Sequence, residues 1–308
     1  MLSYIVALVA GLIFLANPIS QIFFPRDEQS RFQRRGSSHR LSPRPKLNES
    51  LLAIDLANAT APDCPPDAYI ARILSRAPLV VYLENFLSED ERRHLLEISE
   101  PLFVPSTITH DARTSSRDTT VRDSSVALIP RTDTVRCIER RSQAFQGYRR
   151  DVWTERLRTQ RYESPSGHYA HHYDWSRNNA GWGRVSSFMV WVDDDEGKVE
   201  GGGTEFPLLE GKFDDEQGKK WWCSVVECDE DAQGEKKADD TTTKDGEQYD
   251  EEEVGSKGTT FKVIPGNAVY WENFAPHGRG YEETWHAGLP VKKGTKVGLN
   301  IWNFGRIE

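Results

Sequence analysis

The chain is poor in several features that would settle its class at once. Four cysteines in 308 residues are too few for a small scaffold stapled by disulfides. They include one close pair, Cys223-x4-Cys228, with no matching second pair to complete a zinc site. A basic excess is also missing. Residues 229–253 hold 12 acids against three lysines, and the remainder carries 36 residues of each sign, so the net charge of −9 belongs to one segment. Proteins that bind nucleic acid usually carry a basic face, so no nucleic-acid partner is expected. What is present is 37% hydrophobic and 10% aromatic residues. That excludes a wholly disordered chain and suffices for one or two packed domains.

Only one long apolar run occurs, over 4–16, and it resumes at Ile22-Phe23-Phe24. The first part has the length of a signal-peptide core, and the whole is long enough to span a bilayer. Segment 1–24 reads as an uncleaved signal-anchor, with a signal peptide as the alternative. Arg26, Arg31, Arg34, Arg35, Arg40 and Arg44 follow it, which by the positive-inside rule favours a cytoplasmic C-terminal side. Two glycosylation sequons, at Asn48 and Asn58, argue the opposite. Residues 25–68, rich in Arg, Ser and Pro, read as a disordered stalk.

The folded domain is assigned to 69–308. Leu79–Leu83 has strand composition. Ser88 and Glu91 form a capping-box pattern before a helix over 89–99, and a second helix is expected from Thr134 to about Tyr148, with Asp133 as its cap. From Leu157 onward the pattern becomes short strands between turn residues, at 157–162, 169–173, 185–192, 260–264, 268–272, 284–288 and 296–303. Many such strands after helices suggest an α+β domain with a β-sandwich or barrel. The acidic stretch 229–253 interrupts this block and reads as a solvated, disordered insert. Cys223 and Cys228 flank it, and a disulfide pinning its base is the preferred reading. Cys64 and Cys137 either pair or stay free.

The chemistry lies in three places. His172-x-Asp174 puts an imidazole and a carboxylate on one strand face. His286 is another strand-borne imidazole. Two His and one carboxylate with open positions suit non-haem Fe(II) oxygenases. Lys296 begins an otherwise apolar strand, 296–302. Such a lysine is either an edge residue or a buried cation that needs an anionic partner, which a dicarboxylate cosubstrate would supply.

Taken together, Tyr162-x9-His172-x-Asp174, then Arg-Val-Ser-Ser-Phe-Met-Val-Trp-Val at 184–192, Glu-Gly-Gly-Gly-Thr-Glu-Phe-Pro at 200–207, Trp-His-Ala-Gly-Leu-Pro-Val at 285–291, Lys296 and Trp302 resemble the prolyl 4-hydroxylase family. These are Fe(II)- and 2-oxoglutarate-dependent dioxygenases. The resemblance covers about residues 78–304. Trp222-Cys223, Cys228 and the run Phe261–Val269 look like fungal-type members. It implies a double-stranded β-helix, or jelly-roll, core with supporting N-terminal helices. His172, Asp174 and His286 would ligate iron. Lys296 would pair with the far carboxylate of 2-oxoglutarate, Tyr162 and Thr204 would hydrogen-bond it, and Trp302 would line its pocket. Arg184 would contact substrate. Two positions depart from the family form: the stretch from Tyr162 to His172 is one residue longer, and Phe304 stands where a histidine is common.

The implied activity is hydroxylation of peptidyl proline at C4, with O2, 2-oxoglutarate and help from ascorbate, releasing succinate and CO2. The alternatives are the same chemistry on a lysyl or small-molecule substrate, or a non-catalytic jelly-roll that binds peptide. A disulfide, the sequons at Asn48 and Asn58, and the family's habit place the domain in the endoplasmic reticulum lumen, tethered to the membrane by the N-terminal segment. Secreted and cytoplasm-facing arrangements are the other options.

Overall fold

The computed structural model describes residues 45–109, 115–176, 181–211, 216–228 and 258–307. The segment 1–24 read as a signal-anchor, and the insert 229–253, lie outside the described residues. Among the described residues no helix is long and apolar enough to cross a membrane.

Strands β1 (Ile70–Arg76) and β2 (Leu79–Glu84) precede helix α1 (Glu89–Ser99). Short strands β3 (Val104–Pro105), β4 (Ile108–Thr109), β5 (Ser115–Ser116), β6 (Arg122–Asp123) and β7 (Ser125–Leu128) lead to helix α2 (Asp133–Phe145). Next come β8 (Val152–Thr154), β9 (Arg158–Glu163), β10 (His168–His172) and the long β11 (Trp182–Asp193). Strands β12 (Glu200–Gly201) and β13 (Thr204–Phe206) precede helix α3 (Glu216–Val225). The described chain continues through β14 (Thr259–Phe261), β15 (Ala268–Glu272), β16 (His286–Gly288), β17 (Val291–Lys293) and the long β18 (Thr295–Arg306).

The large sheet runs β1-β2-β15-β11-β18-β9-β7-β3, with β8 beside β18; the smaller runs β14-β13-β16-β10-β6. Their pairings are antiparallel, and the two sheets form a jelly-roll core. The large sheet is covered on both faces, which explains why β11 is a near-continuous apolar run rather than an alternating one. Its residues Phe188, Val190 and Val192 share one core cluster with Leu95, Val135 and Ile138 of the helices. Met189 and Trp191 point the other way, into a cluster with Tyr82, Phe206, Phe261 and Trp271.

Helix α1 starts where the pattern predicts. Ser88 Oγ accepts from the Glu91 amide and Glu91 Oε2 accepts from the Ser88 amide. Glu91 also binds Arg141 of α2, 2.8 Å away, and both are only 6% exposed. Helix α2 begins one residue earlier than expected: Thr132, not Asp133, caps it by accepting from the Val135 amide. Asp133 is the first helical residue and pairs with Arg136 instead. Helix α3 is not anticipated by the sequence reading.

The expected disordered stalk is the main correction. Its described part, from residue 45 on, lies along α2 as a strap. Leu52 is buried and bridges to Glu155. Asp55 pairs with Arg131 and Arg136, and Cys64 is bonded to Cys137 of α2, 73 residues away. Those partners are remote in sequence, so local composition could not reveal them. Cys223 and Cys228 are also bonded, as preferred. Closing the 73-residue Cys64–Cys137 loop stabilises by about 4 kcal/mol. Cys64→Ser should therefore lower the urea midpoint of unfolding by that equivalent. An unchanged midpoint would mean that the ion pairs alone hold the strap.

Candidate functional site

The smaller sheet and the bend after its β10 carry the residues that could hold a metal. His172 is the last residue of β10 and lies opposite His286, the first of β16. Asp174 lies just past the end of β10, in a bend, so the His-x-Asp pair straddles a strand end rather than sharing a strand. One ligand atom from each of His172, Asp174 and His286 lies within 4.8 Å of the other two. His172 Nε2 is 3.9 Å from Asp174 Oδ1.

A bulge makes this possible. Tyr169 pairs with Gly288 and His172 with His286, so three steps on β10 match two on β16. The extra residue turns His172 onto the same face as Tyr169, whose ring stacks on it at 3.8 Å. In a regular strand this odd spacing would put them on opposite faces. A second bulge does the same in β11, between Arg184 and Ser186. It brings Arg184 and Ser187 to one side, both toward Asp174.

The ligands are oriented by their second bonds. Nδ1 of His172 meets the Ala170 carbonyl and Nδ1 of His286 meets the Thr284 carbonyl, each at 2.8 Å. A carbonyl only accepts, so each Nδ1 carries a proton, and in the neutral ring it is Nε2 that offers a lone pair. Asp174 Oδ2 accepts from Ser187 Oγ at 2.6 Å and from Trp302 Nε1 at 3.0 Å. That leaves Oδ1 facing the imidazoles. Asn273 braces Ser187 in turn. Burial, reinforced by the neighbouring His286, pushes the His172 pKa well below the usual imidazole range. Burial alone would raise Asp174, but His286, Arg184, His172 and the Ser187 hydroxyl more than offset it, so its carboxyl titrates below the usual value. A neutral imidazole and an ionised carboxylate are the donor forms a divalent ion requires.

The same pocket is lined by Lys296, Tyr162 and Thr204. Lys296 is on β18 opposite Tyr162 of β9. It is 1% exposed, donates to the Gly202 carbonyl, and has its ammonium 4.7 Å from the Tyr162 ring centre. Among the described residues it has no carboxylate partner. Burial alone drops its pKa to about 7. A Cβ at Gly288 would lie 3.8 Å from the Lys296 Nζ and 3.8 Å from the Tyr169 Cβ, so the glycine keeps that space open. Ferrous iron fits the first set of donors, and a dicarboxylate fits the second.

Two expected site residues sit differently. Trp302 is not among the residues lining this pocket. It is six positions beyond Lys296 on β18, about 20 Å along the strand, and its indole holds Asp174 instead. Arg184 does not reach out freely. It pairs with Glu155 through two bonds, of 2.6 and 3.0 Å, and its guanidinium covers the Trp302 ring at 3.8 Å. The sequence reading misses Gln160, Tyr169, Met189, Trp271 and Asn300, which also line the pocket. Gln160 follows from Tyr162 by strand alternation, and Asn300 from Lys296. Tyr169 does not, because the bulge reverses its face.

Lys296 has a stability consequence. Its pKa is lowered on folding, so the unfolded chain binds more protons between pH 7 and the ordinary lysine value. Stability of the ligand-free protein therefore rises with pH through that window, and the full destabilisation applies below pH 7. Lys296→Met, which strands the Gly202 carbonyl, should still stabilise that protein by roughly 2–4 kcal/mol at pH 6. The gain should shrink toward pH 10. Thermal melts at both pH values test this, and equal or lower stability of the variant at pH 6 would contradict it.

No family model matches the chain. Among curated proteins, it is 26% identical over 235 residues to probable prolyl 4-hydroxylase 10 of Arabidopsis thaliana, covering 75% of this chain and 70% of that one. It is 24% identical over 238 residues to prolyl 4-hydroxylase 5 of the same plant, covering 75% and 69%. Among solved structures, the viral collagen prolyl hydroxylase of Paramecium bursaria Chlorella virus-1 aligns with a TM-score of 0.46 at 19% identity, over 73% of this chain and 96% of that one. With the His172–Asp174–His286 cluster and the enclosed Lys296 in place, the chain is similar to curated prolyl 4-hydroxylases, and its donor set suits an Fe(II)- and 2-oxoglutarate-dependent dioxygenase.

Proposed function

We propose that this dioxygenase hydroxylates C4 of proline residues in peptides or proteins, consuming O2 and 2-oxoglutarate and releasing succinate and CO2. One observation carries the reading: a single pocket holds both the His172–Asp174–His286 cluster and a lysine with no carboxylate partner among the described residues. The names of the curated relatives support proline as the acceptor.

When bound, the ferrous ion supplies the oxidation by O2 that couples 2-oxoglutarate decarboxylation to substrate hydroxylation. Of the two oxygen atoms, one enters the proline hydroxyl and the other enters succinate. The protein's share is positioning. His172 and His286 donate Nδ1–H to carbonyls, so that in their neutral forms Nε2 would be the atom offered to the ion. Ser187 and Trp302 occupy Asp174 Oδ2 and so fix which oxygen faces the ion. Lys296 meets the distal carboxylate as a charge-assisted contact, with Thr204 and Tyr162 beside it. Met189, Trp271 and Tyr169 wall the pocket and exclude water.

His172→Ala or Asp174→Ala should abolish succinate formation together with iron binding. Lys296→Ala should weaken 2-oxoglutarate by roughly ten- to a hundredfold, because a charged hydrogen bond contributes about 1.5–3 kcal/mol. The assay is succinate release with Fe(II), 2-oxoglutarate and ascorbate, together with a +16 mass shift mapped to proline in a proline-rich peptide. A shift on lysine, or on no residue, would overturn the proline reading. Unbound iron with no succinate would favour the non-catalytic alternative.

We also propose that the domain faces the endoplasmic reticulum lumen, held to the membrane by residues 1–24. Two disulfides favour an oxidising compartment. Both sequon asparagines are exposed, and Asn48 Oδ1 accepts from the Ser50 hydroxyl at 2.7 Å. Sealed microsomes should protect the domain from protease, and glycosidase should shift its mobility. An unglycosylated, protease-sensitive domain would refute the placement.

A further inference from the structure

Three arginines, Arg122, Arg158 and Arg184, lie over the rings of Tyr169 and Trp302, and a fourth, Arg156, repels Arg158; their charges are not balanced. Arg184 is matched by Glu155. Arg122, Arg156 and Arg158 pair with no carboxylate among the described residues. Arg122 lies over the Tyr169 ring at 4.5 Å and uses Nε on the Ser124 hydroxyl, while its Nη2 is buried without a hydrogen-bond partner. Arg156 bonds the Ile129 carbonyl, and its Nε is likewise buried and unpaired.

Arg158 is the one best placed to meet substrate. Tyr162 and Gln160 line the pocket, so strand alternation puts Arg158, two residues further along β9, on the same face. It lies opposite Asn300, another lining residue. The Lys296–Tyr162 pair is four positions deeper on both strands, about 13 Å away, so Arg158 stands toward the end of the pocket away from the buried ammonium. Its guanidinium is 5.8 Å from the centre of the Trp302 ring, the ring that holds Asp174. Burial lowers the Arg158 pKa; Glu155 attracts its charge, but Arg184, Arg122 and Arg156 repel it. A half-buried guanidinium held among its own kind lacks an anion.

We propose that the substrate peptide carries a carboxylate next to the target proline and that Arg158 is the residue that recognises it. This rests on the peptidyl-proline reading above and narrows it to acidic proline-containing segments. A guanidinium and a carboxylate match in planar two-bond geometry, and the nearby unpaired Arg122 strengthens the field that draws the anion in. A peptide's carboxylate comes either from an Asp or Glu side chain or from its own C-terminus.

The test uses the full chain with Fe(II), 2-oxoglutarate and ascorbate, on matched peptides that differ only at the residue before or after proline: Glu against Gln, and Asp against Asn. Each peptide is made with a free and with an amidated C-terminus. Hydroxylation is read as the +16 mass shift, and kcat and KM are separated. The proposal expects the acidic member to be favoured at least tenfold in kcat/KM, chiefly through KM. Arg158→Gln should collapse that acid-to-amide ratio to near one, and Arg158→Lys should restore part of it. Preference for an acidic side chain in amidated peptides assigns the side chain as the source; preference confined to free C-termini assigns the terminus. Equal use of acid and amide members, or a ratio unchanged in Arg158→Gln, overturns the proposal and leaves proline hydroxylation standing. Hydroxylation of no peptide in either series overturns both readings.

Discussion

An ammonium sealed among neutral groups is the constraint around which this molecule is arranged. Lys296 has a carbonyl, an aromatic face and, among the described residues, no counter-ion within reach. Burying a charge in this way is unfavourable unless something anionic completes it. The fold retains the lysine by pairing β18 with β9 along six consecutive residues, so the side chain cannot swing out to solvent without breaking the large sheet. The site is therefore stable in proportion to how often it is filled, and cosubstrate binding is also a folding term.

The metal-ligating end is built on another principle. Its three donors come from two neighbouring strands and a bend, and each is fixed by a bond that points away from the ion. Carbonyls hold the two imidazoles; a hydroxyl and an indole hold the carboxylate. Asn273 then ties the hydroxyl to β11 through the Arg184 carbonyl. The pocket is thus preorganised by protein dipoles that need no rearrangement on binding.

Much of this was legible in residue order. The capping box at Ser88 and Glu91 marked α1, and short segments between turn residues, 157–162 and 296–303, marked the strands that carry Tyr162 and Lys296. The spacing of His172, Asp174 and His286 marked the metal set. What escaped has a common cause. Tyr169 faces the site because the β10 bulge shifts strand parity, and parity is the only guide that a period-2 pattern offers. The strap over 45–68 escaped because Cys64, Asp55 and Leu52 find their partners on α2 and near β8, far along the chain. Trp302 was placed by likeness at the cosubstrate, whereas distance along β18 assigns it to the carboxylate ligand.

The two ends of the acidic stretch meet at one spot. Cys228 is bonded to Cys223, Val226 bridges to Phe261, and the Glu227 amide donates to the Thr260 carbonyl. The chain therefore leaves and re-enters the sheet through a closed gate. The seam is closed by bonds among residues 223–228 and 260–261 themselves, so it does not depend on how many residues lie between 228 and 258.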